Sequence, residues 1–345
     1  MSSASPFPPA SVHVVTVTYG DRWRLLEQTI EAALHEGAGH VTVVDNGAAD
    51  NTAAQLQRRF DERVSLIRLE RNLGSAGGFH AGMREAMRHP HALLCLLDDD
   101  NVFTPGALSR MLATHAEGLR TTAADALAVL ALRDEHFVAE SLSSSDFSGH
   151  ADAYLGFRIL DLPAKILNHL HPARRRAAAV PAMPAELRWA PWGGLLFHRQ
   201  VPERIGLPRA DYVLYNDDIE WSMRLVAAGG RIVLDSRARI EDVDNSGHSA
   251  AIYPNVFVSL LCGSSDFRTY YEFRNRCNLE QQQGHYGLMN RLNRAMFWSL
   301  LAGCALAWGR LGRLRLLRAA MHDGEGGRMG LSEHHPLPNH RGGAA

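Results

Sequence analysis

Short apolar runs alternate with amphipathic helical segments through the N-terminal third of the chain. The apolar runs are rich in Val, Leu and Thr and are bounded by turn-forming residues, which predicts β-strands. They lie at His13–Tyr19, His40–Asp45, Val64–Leu69 and Ala92–Leu97. The segments between them have the apolar spacing of helices, and they lie at Leu25–His35, Asn51–Phe60 and Gly78–Arg88. This alternation is typical of an α/β fold with a mostly parallel sheet flanked by helices.

The pattern is different in the second half of the chain. No element is predicted between Thr121 and Arg188, an acidic cluster enters a helix within Leu214–Ala228, and Arg231–Leu234 is a short strand. From about residue 255 the pattern is helical and increasingly basic. We therefore predict a disordered Ser/Pro leader at residues 1–11, an α/β domain at 12–254 and a C-terminal helical region at 255–345.

Composition excludes several classes of protein. The net charge is −1, from 36 basic and 37 acidic residues, which argues against a general nucleic-acid binder. Lys165 is the only lysine and follows no glycine-rich loop, so a P-loop NTPase and a pyridoxal enzyme are both excluded. The four cysteines form no CxxC pair, as expected for reduced thiols in a cytosol. Residues 1–11 lack the basic segment of a signal peptide, so we expect a cytoplasmic protein.

Polar residues follow three of the predicted strands. Thr18 ends the first strand, Asp45 ends the second, and the run Asp98-Asp99-Asp100-Asn101 ends the fourth. Ligands of open α/β sheets bind beyond these carboxyl ends. Strand alternation places Asp98 and Asp100 on one side and Asp99 on the other. A divalent metal that holds a diphosphate would satisfy these carboxylates, and the alternative is a solvated acidic turn that caps the next helix.

A glycine-rich loop precedes the third helix. Gly74, Gly77 and Gly78 in RNLGSAGGFHAG would let the backbone approach a ligand, and a helix N-terminus favours an anion. A Rossmann dinucleotide site is the competing interpretation. Its glycine motif should follow the first strand, where Tyr19-Gly20-Asp21 does not fit it.

A second acidic cluster and one histidine are further candidates for site residues. Asp217 and Asp218 open a predicted helix, whose dipole should help to keep both carboxylates ionised. One aspartate suffices for an N-cap, so this pair with Glu220 leaves a surplus of acids. His248 lies in DVDNSGHS, where a metal-ligand role competes with an ordinary surface or core position, since the chain has 18 histidines.

Taken together, these segments resemble the family 2 inverting glycosyltransferases of the GT-A fold. The motifs that carry the resemblance, in the family's order, are VVTVTYGDRWRLLEQTIEAAL, VVDNGAADNT, NLGSAGGFHAG, LLDDDN, WGGLLFHR, NDDIEW, a later His and YYEFRN. They span about residues 12–280. NLGSAGGF with DDDN is most similar to the galactofuranosyl- and rhamnosyltransferase branch.

The resemblance implies roles for individual residues. Donor binding is implied for Thr18, Asp45, Arg71, Asn72, Gly74, Gly77, Gly78, Asp98, Asp99, Trp192, Gly193 and Gly194. A divalent metal, Mn²⁺ or Mg²⁺, is implied at Asp98, Asp100 and His248. Asp218 would be the general base, although Asn216 leaves open which of Asp217 and Asp218 aligns with the family's base.

The implied chemistry agrees with these residue types. In an inverting transfer, a carboxylate accepts the proton of the attacking hydroxyl, and a metal neutralises the leaving diphosphate. A retaining glycosidase would also use two carboxylates, but it has no need of a glycine loop or a nucleotide pocket.

The implied function is transfer of a sugar, galactofuranose or rhamnose, from a UDP- or dTDP-linked donor to a glycan or lipid-linked acceptor in bacterial cell-surface polysaccharide synthesis. One alternative is a sugar-phosphate nucleotidylyltransferase, but its N-terminal glycine-rich signature is missing from Val14–Asp21. The other is a non-catalytic module of the same fold, which the intact Asp100 and Asp218 disfavour.

The C-terminal helical region has two interpretations. Its longest apolar run, Ala295–Trp308, has 14 residues, fewer than the roughly 20 that cross a bilayer. The run has Trp residues at its edges and is flanked by Arg residues, which suits helices that lie on an anionic membrane at the inner face of the plasma membrane. The alternative is a helix pair packed on the α/β domain or in a homo-oligomer interface.

Overall fold

The computed structural model describes residues 6–48, 51–133, 152–164, 167, 185–244, 256–263, 265–284 and 287–338. The chain divides into two compact units. The first unit comprises residues 1–134, 181–247 and 336–345, and the second comprises 135–180 and 248–335. The sequence predicted one boundary near residue 255, and it did not predict that residues 152–164 belong to the same unit as the C-terminal helices.

The first unit contains a mixed sheet with the order β3-β2-β1-β4-β8-β6-β9-β5, and β7 also pairs with β9. Its strands are β1 (Val12–Gly20), β2 (His40–Ala48), β3 (Val64–Arg68), β4 (Leu93–Asp98), β5 (Asn101–Phe103), β6 (Leu127–Leu132), β7 (Ala185–Leu187), β8 (Leu195–His198) and β9 (Arg231–Asp242). Strands β5, β7 and β8 run opposite to the others, so the sheet is mostly parallel in direction.

Helices cover both faces of this sheet. They are α1 (Trp23–His35), α2 (Thr52–Arg59), α3 (Gly74–Ala86), α4 (Ala107–Gly118), α5 (Gln200–Ile205) and α6 (Asp217–Ala227). Helix α1 packs on β2 and β5, helix α4 packs on β6 and β9, and their apolar sides share one core with alternate residues of β1, β2 and β4. Helix α3 packs on the opposite face, where a Cβ added to Gly78 would lie 2.4 Å from Val17 Cγ1. Glycine is therefore required for this close contact between helix and sheet.

The structure confirms the four N-terminal strands and the three helices between them. Helix α3 begins at Gly74 rather than Gly78, and β9 continues to Asp242 rather than ending at Leu234. Strand β6 was missed because LAVLAL is buried on both faces and shows no alternation of polar residues. Residues 6–11 also differ from the predicted disordered leader, since Pro9–Ser11 form a 3₁₀ turn and Phe7 packs against the core.

The second unit contains α7 (Val256–Cys262), α8 (Asp266–Gln282), α9 (Leu288–Ala307) and α10 (Leu311–Glu325). The segment 152–161 is fixed to α9 by polar contacts, because Asn293 donates to the Asp152 carbonyl and accepts from the Ile159 N–H. Part of the apolar run predicted for the membrane packs internally, since Phe297 contacts Tyr154 and Phe157. No helix in the described part of the chain has the length and hydropathy to cross a membrane.

Candidate active site

The carboxyl ends of β1 and β4 are joined by a buried hydrogen bond. These strands are parallel neighbours, and Val17 pairs in register with Asp98. The Thr18 hydroxyl donates to Asp99 Oδ2 at 2.7 Å. Burial raises the pKa of Asp99 to about 7, while Arg22 and Thr18 oppose that rise. Two residues predicted from separate strand ends therefore meet in one site.

Arg22 is a site residue that the sequence analysis missed. Its side chain is only 16% exposed and pairs with three carboxylates. Nε lies 3.0 Å from Asp99 Oδ1, Nη2 lies 2.6 Å from Asp100 Oδ2, and Nη1 lies 2.9 Å from Asp244 Oδ2. A signal was present in the sequence, because an arginine just beyond β1 must lie at the same sheet edge as the acids that end β4.

Strand β9 supplies further acids that were not predicted. It pairs with β5, which sets Asp242 opposite Asn101, and the Val243 N–H donates to the Asp100 carbonyl at 2.9 Å. The burial of Asp100 raises its pKa, with the charge of Asp242 as the next cause. No local pattern in the sequence indicates this pairing, since the two segments lie far apart in the chain.

Asp98 faces a different partner from Asp99, but Arg22 contacts both Asp99 and Asp100, so the predicted grouping of Asp98 with Asp100 is wrong. Asp99 and Asp100 lie in a turn, where strand alternation no longer holds. Arg133, at the end of β6, lies with Nη1 3.3 Å from Asp98 Oδ2. Burial raises the pKa of Asp98 to about 6. The side chain is 39% exposed, however, so solvent limits that rise. Asp98 is therefore the carboxylate of this run that is most open to a ligand.

Trp192 and Gly193 connect the two acidic clusters. The indole Nε1 of Trp192 donates to Asp217 Oδ2 at 2.9 Å. A Cβ on Gly193 would lie 2.2 Å from Asn101 Oδ1 and 3.2 Å from Asp98 Oδ2. Trp192 thus contacts Asp217, and the adjacent Gly193 lies against Asp98 and Asn101.

Asp217 and Asp218 have different surroundings. Asp217 is 2% exposed, and it accepts hydrogen bonds from Trp192 and from Ser75 Oγ at 3.1 Å. Asp218 is half-buried, and its Oδ1 accepts the Ile219 N–H at 2.8 Å. Burial raises the pKa of both carboxyls, and repulsion from Asp217 raises that of Asp218 further. These effects oppose the expected influence of the helix dipole.

The chain enters α6 through strained backbone. Val213, Tyr215 and Asn216 all have positive φ, at 68°, 67° and 58°. The Leu214 N–H donates to the Tyr212 carbonyl at 2.8 Å, which closes a γ-turn with Val213 at its centre. This turn is rare, and a β-branched residue is costly in it. Such strain clusters at functional sites, where the surrounding structure holds it in place.

The first turns of α3, which contain the glycines predicted to form a loop, are attached to this strained turn. A Cβ on Gly74 would lie 1.8 Å from the Val213 carbonyl oxygen, which itself accepts the Ala76 N–H at 3.1 Å. Gly77 packs on Leu73 and Gly78 on Val17. These contacts explain the need for glycine by packing within the protein, a different reason from the ligand approach that we expected.

The remaining donor-site candidates line the base of this loop. Asp45 accepts the N–H groups of Gly47 and Ala48 at 3.1 and 2.7 Å, and its carboxylate is buried. Asn72 Oδ1 accepts the Gly74 N–H at 2.9 Å, whereas Arg71 is exposed. Asn46, which we had not assigned a role, fastens the loop to β2 by bonding Leu73 N–H and Gly74 carbonyl, each at 2.8 Å.

The donor atoms at the sheet edge suit a hard divalent cation. Asp98, Asp100 and Asp242 carry carboxylate oxygens, the ligands that Mg²⁺ and Mn²⁺ prefer, although these oxygens are not all within 4.8 Å of one another in the structure. Asn101 Oδ1 is buried beside them and has no hydrogen-bond partner among the described atoms. His248, the other predicted ligand, lies outside the described residues.

Part of the chain matches a known family. Residues 13–129 match the model described as Glycosyl transferase family 2. The matched segment is about a third of the chain and contains Thr18, Asp45 and the Asp98–Asp100 run. Trp192, Asp217 and Asp218 lie beyond it.

One curated relative is the succinoglycan biosynthesis protein ExoO of Rhizobium meliloti (strain 1021), which is 34% identical over 131 residues. The alignment covers 36% of this chain and 37% of the relative, so the chain spans little more than a third of that protein's length.

Solved structures share the fold. GalNAc-T7, crystallised with UDP, GalNAc and Mn²⁺, has a TM-score of 0.51 and 13% identity, over 78% of this chain and 47% of that one. The mannosyltransferase PcManGT from Pyrobaculum calidifontis, in complex with GDP-Man and Mn²⁺, has a TM-score of 0.47 and 15% identity, over 92% and 77% of the two chains. The first likeness establishes the GT-A fold for this chain, and the second is too distant to add to it.

Proposed function

We propose that the chain is an inverting glycosyltransferase, which transfers a sugar from a nucleotide-sugar donor to a hydroxyl of its acceptor. The observation that carries this proposal is the junction at Trp192-Gly193, where two acidic clusters meet. One cluster lies at the carboxyl end of β4, where open α/β sheets bind ligands. The match of residues 13–129 to the family 2 model and the GT-A fold support the same reaction.

Asp218 is the proposed general base. Asp218 is half-buried, so its carboxylate is more accessible than that of the buried Asp217. Asp217 is buried under Trp192 and Ser75, so its proposed role is to fix the entrance of α6 and the indole of Trp192. In this scheme Asp218 accepts the proton of the acceptor hydroxyl while that oxygen attacks the anomeric carbon.

Asp98 and Asp100 are the proposed holders of a divalent cation, Mn²⁺ or Mg²⁺, with His248 as a further ligand carried over from the family resemblance. When bound, the metal would neutralise the negative charge that develops on the leaving diphosphate. Arg22 positions Asp99 and Asp100 through its ion pairs and lowers the net negative charge of the cluster. Thr18 and Asp99, which bond to each other, form the nucleoside side of the proposed donor pocket.

The proposed donor is UDP-galactofuranose or dTDP-rhamnose, on the strength of the NLGSAGGF and DDDN motifs. The curated relative is a succinoglycan biosynthesis protein, so a role in bacterial polysaccharide assembly is proposed for this chain as well. A glycan or lipid-linked acceptor fits that role.

A peripheral position at the inner face of the plasma membrane is proposed from the surface of the C-terminal helices. Leu288, Leu292 and Met296 are exposed at four-residue spacing, so they form one apolar stripe on α9. Arg291, next to Leu292, is exposed, and so are Arg310 before α10 and Arg315 within it. A stripe of this kind with basic neighbours suits an anionic lipid surface.

The test is turnover with a panel of nucleotide sugars, with Mn²⁺ present and with polyprenyl-linked and free glycans as acceptors. We expect release of a nucleoside diphosphate from one donor only, and a product whose anomeric configuration, read by NMR, is inverted. Retention of configuration would contradict the inverting mechanism. Formation of a nucleotide sugar from a nucleoside triphosphate and a sugar phosphate would instead favour the nucleotidylyltransferase.

A further inference from the structure

Four histidines lie together at the edge of the sheet opposite the acidic clusters. His13 is in β1 and His40 begins β2, and the two residues pair in register. His89 and His91 lie in the connection between α3 and β4. Because β1, β2 and β4 are parallel, their starting ends share one edge, and residues far apart in sequence meet there.

Three of these histidines have the spacing of metal ligands. One ring nitrogen from each of His13, His89 and His91 lies within 4.8 Å of the other two. In the part of the chain that the structure describes, no other group of His, Cys, Asp or Glu side chains brings three ligand atoms so close. The fourth ring, His40, packs at a centroid distance of 4.7 Å from both His13 and His89.

Hydrogen bonding leaves buried nitrogens of this cluster unused. His13 is fully buried, and its Nε2 lies 2.7 Å from Thr42 Oγ1, whereas its Nδ1 has no hydrogen-bond partner. Nδ1 of His91 is also buried without a partner. Buried polar atoms are nearly always satisfied, so these two nitrogens call for an explanation. The Thr42 hydroxyl bonded to Nε2 fixes the orientation of the His13 ring and leaves Nδ1 available to a metal.

We propose that His13, His89 and His91 bind a transition-metal cation, Zn²⁺ above all, at the starting edge of the sheet. Neutral imidazole nitrogens suit Zn²⁺ and are poor ligands for Mg²⁺. Water or His40 completes a tetrahedral set. This site is separate from the acidic clusters, since His13 and Thr18 lie towards opposite ends of β1.

The consequence of binding is structural. The metal joins β1 to the α3–β4 connection, two segments more than 70 residues apart in the chain. A ligand that binds only the folded state stabilises it, and metals commonly couple to folding in this way. Zn²⁺ should therefore raise the unfolding temperature of the protein without taking part in sugar transfer.

The test uses the full chain, without a histidine tag and stripped of metal by a chelator. Calorimetric titration with Zn²⁺ should show one site, and Co²⁺ should give the intense visible absorption of four-coordinate cobalt. His89→Gln, at a half-buried position, should weaken Zn²⁺ binding at least about 10-fold and abolish the thermal shift. His91→Gln should do the same, while His35→Gln, an exposed histidine at the end of α1, should bind Zn²⁺ like the parent protein.

The Asp100→Asn variant distinguishes Zn²⁺ binding at the histidines from Zn²⁺ binding at the acidic clusters. Unchanged Zn²⁺ binding in Asp100→Asn supports the histidine site, and its loss would move the metal to the other edge and overturn the proposal. Parent protein that binds no Zn²⁺, or folded His89→Gln and His91→Gln proteins that bind it normally, would also overturn it. The cluster would then be neutral histidines packed as aromatic rings.

Discussion

At the residue scale, two adjacent aspartates have different neighbours, and we propose different roles for them on that ground. Asp217 receives the Trp192 N–H and the Ser75 hydroxyl, and it is buried. Asp218 meets a backbone N–H and stays half-buried. A carboxylate enclosed by donors is a poor proton acceptor, so the structure favours Asp218 as the base over Asp217.

Comparing Asp218→Asn with Asp217→Asn tests this assignment. Asp218→Asn should lower kcat roughly 10²–10⁴-fold, the usual value of general-base catalysis, with little change in donor affinity. Asp217→Asn replaces an acceptor oxygen by a donor group facing Trp192 or Ser75, so its main effect should be a loss of about 1–3 kcal/mol in unfolding free energy. Turnover, donor affinity and denaturant unfolding of both variants give the answer. Near-normal turnover in Asp218→Asn, with a severe loss in folded Asp217→Asn, would move the base one residue back.

The pH dependence of kcat/KM should reflect the raised pKa of the Asp218 carboxyl. Burial and the charge of Asp217 raise the pKa of Asp218. Because its base form is gained only as pH rises through that pKa, kcat/KM should fall on the acid side at a pH above the ordinary carboxyl range. The measurement is kcat/KM against pH at saturating Mn²⁺. A rate that stays flat down to about pH 4 would show that no raised carboxyl acts as base.

At the element scale, the Val213 carbonyl joins α3 to the turn before α6, and the Ser75–Asp217 hydrogen bond joins the two helices directly. Val213 sits in a γ-turn before α6, and its oxygen bonds the first turn of α3 where Gly74 leaves room. The glycine loop and the base helix are therefore a single mechanical unit, although they lie about 140 residues apart in the chain.

Substituting Gly74 isolates this contact. Gly74→Ala introduces a Cβ 1.8 Å from the Val213 oxygen at a φ of +74°, so unfolding free energy should fall by more than the roughly 1–2 kcal/mol expected for the backbone conformation alone. Gly106→Ala is the matched control, since its φ is +79° and nothing lies within 4 Å of the added Cβ. Denaturant unfolding of both variants measures the difference. Equal losses would show that the Val213 contact relaxes freely.

The exposed stripe on α9 predicts binding to anionic vesicles. Leu292→Ser and Met296→Ser together should reduce sedimentation with phosphatidylglycerol vesicles, and added salt should weaken parent binding because part of it is electrostatic. Leu160→Ser, at an exposed leucine outside the stripe, is the control. A parent protein that ignores such vesicles at low salt but self-associates through α9 would favour the oligomer interface.

At the scale of the whole molecule, negative charge accumulates at one edge of the sheet. Asp98, Asp99, Asp100, Asp242 and Asp244 gather there, against Arg22 and Arg133. The carboxylates here outnumber the arginines, and Oδ1 of Asn101 has no hydrogen-bond partner among the described atoms. For these two reasons we expect a cation at this edge when a diphosphate binds.

Donor binding should therefore depend on a divalent metal. UDP or dTDP should bind more tightly with Mn²⁺ than with EDTA, and Asp100→Asn should weaken the metal-dependent part by about 1–3 kcal/mol. Asp61→Asn, at a surface carboxylate paired with Arg63, should change nothing. Calorimetry of the three proteins with and without Mn²⁺ decides this, and equal nucleotide affinity in EDTA and Mn²⁺ would refute the metal site.

The sequence by itself determined the alternating strands and helices of the N-terminal third and the acids at the strand ends. These depend on local periodicity and on the rule that parallel strands end at one edge, so they are readable without coordinates. It did not reveal β6, whose uniformly apolar residues carry no strand signature distinct from a buried helix.

Only the tertiary structure decided how the site is assembled. Arg22 among three carboxylates, Asp242 opposite Asn101 and the Trp192 contact with Asp217 all join segments distant in sequence. The histidine cluster has the same origin, since His13 and His91 meet because β1 and β4 are neighbours in the sheet. The secondary-structure propensity of a short segment contains no information about such pairings. They follow from the strand order and register, which long-range packing sets.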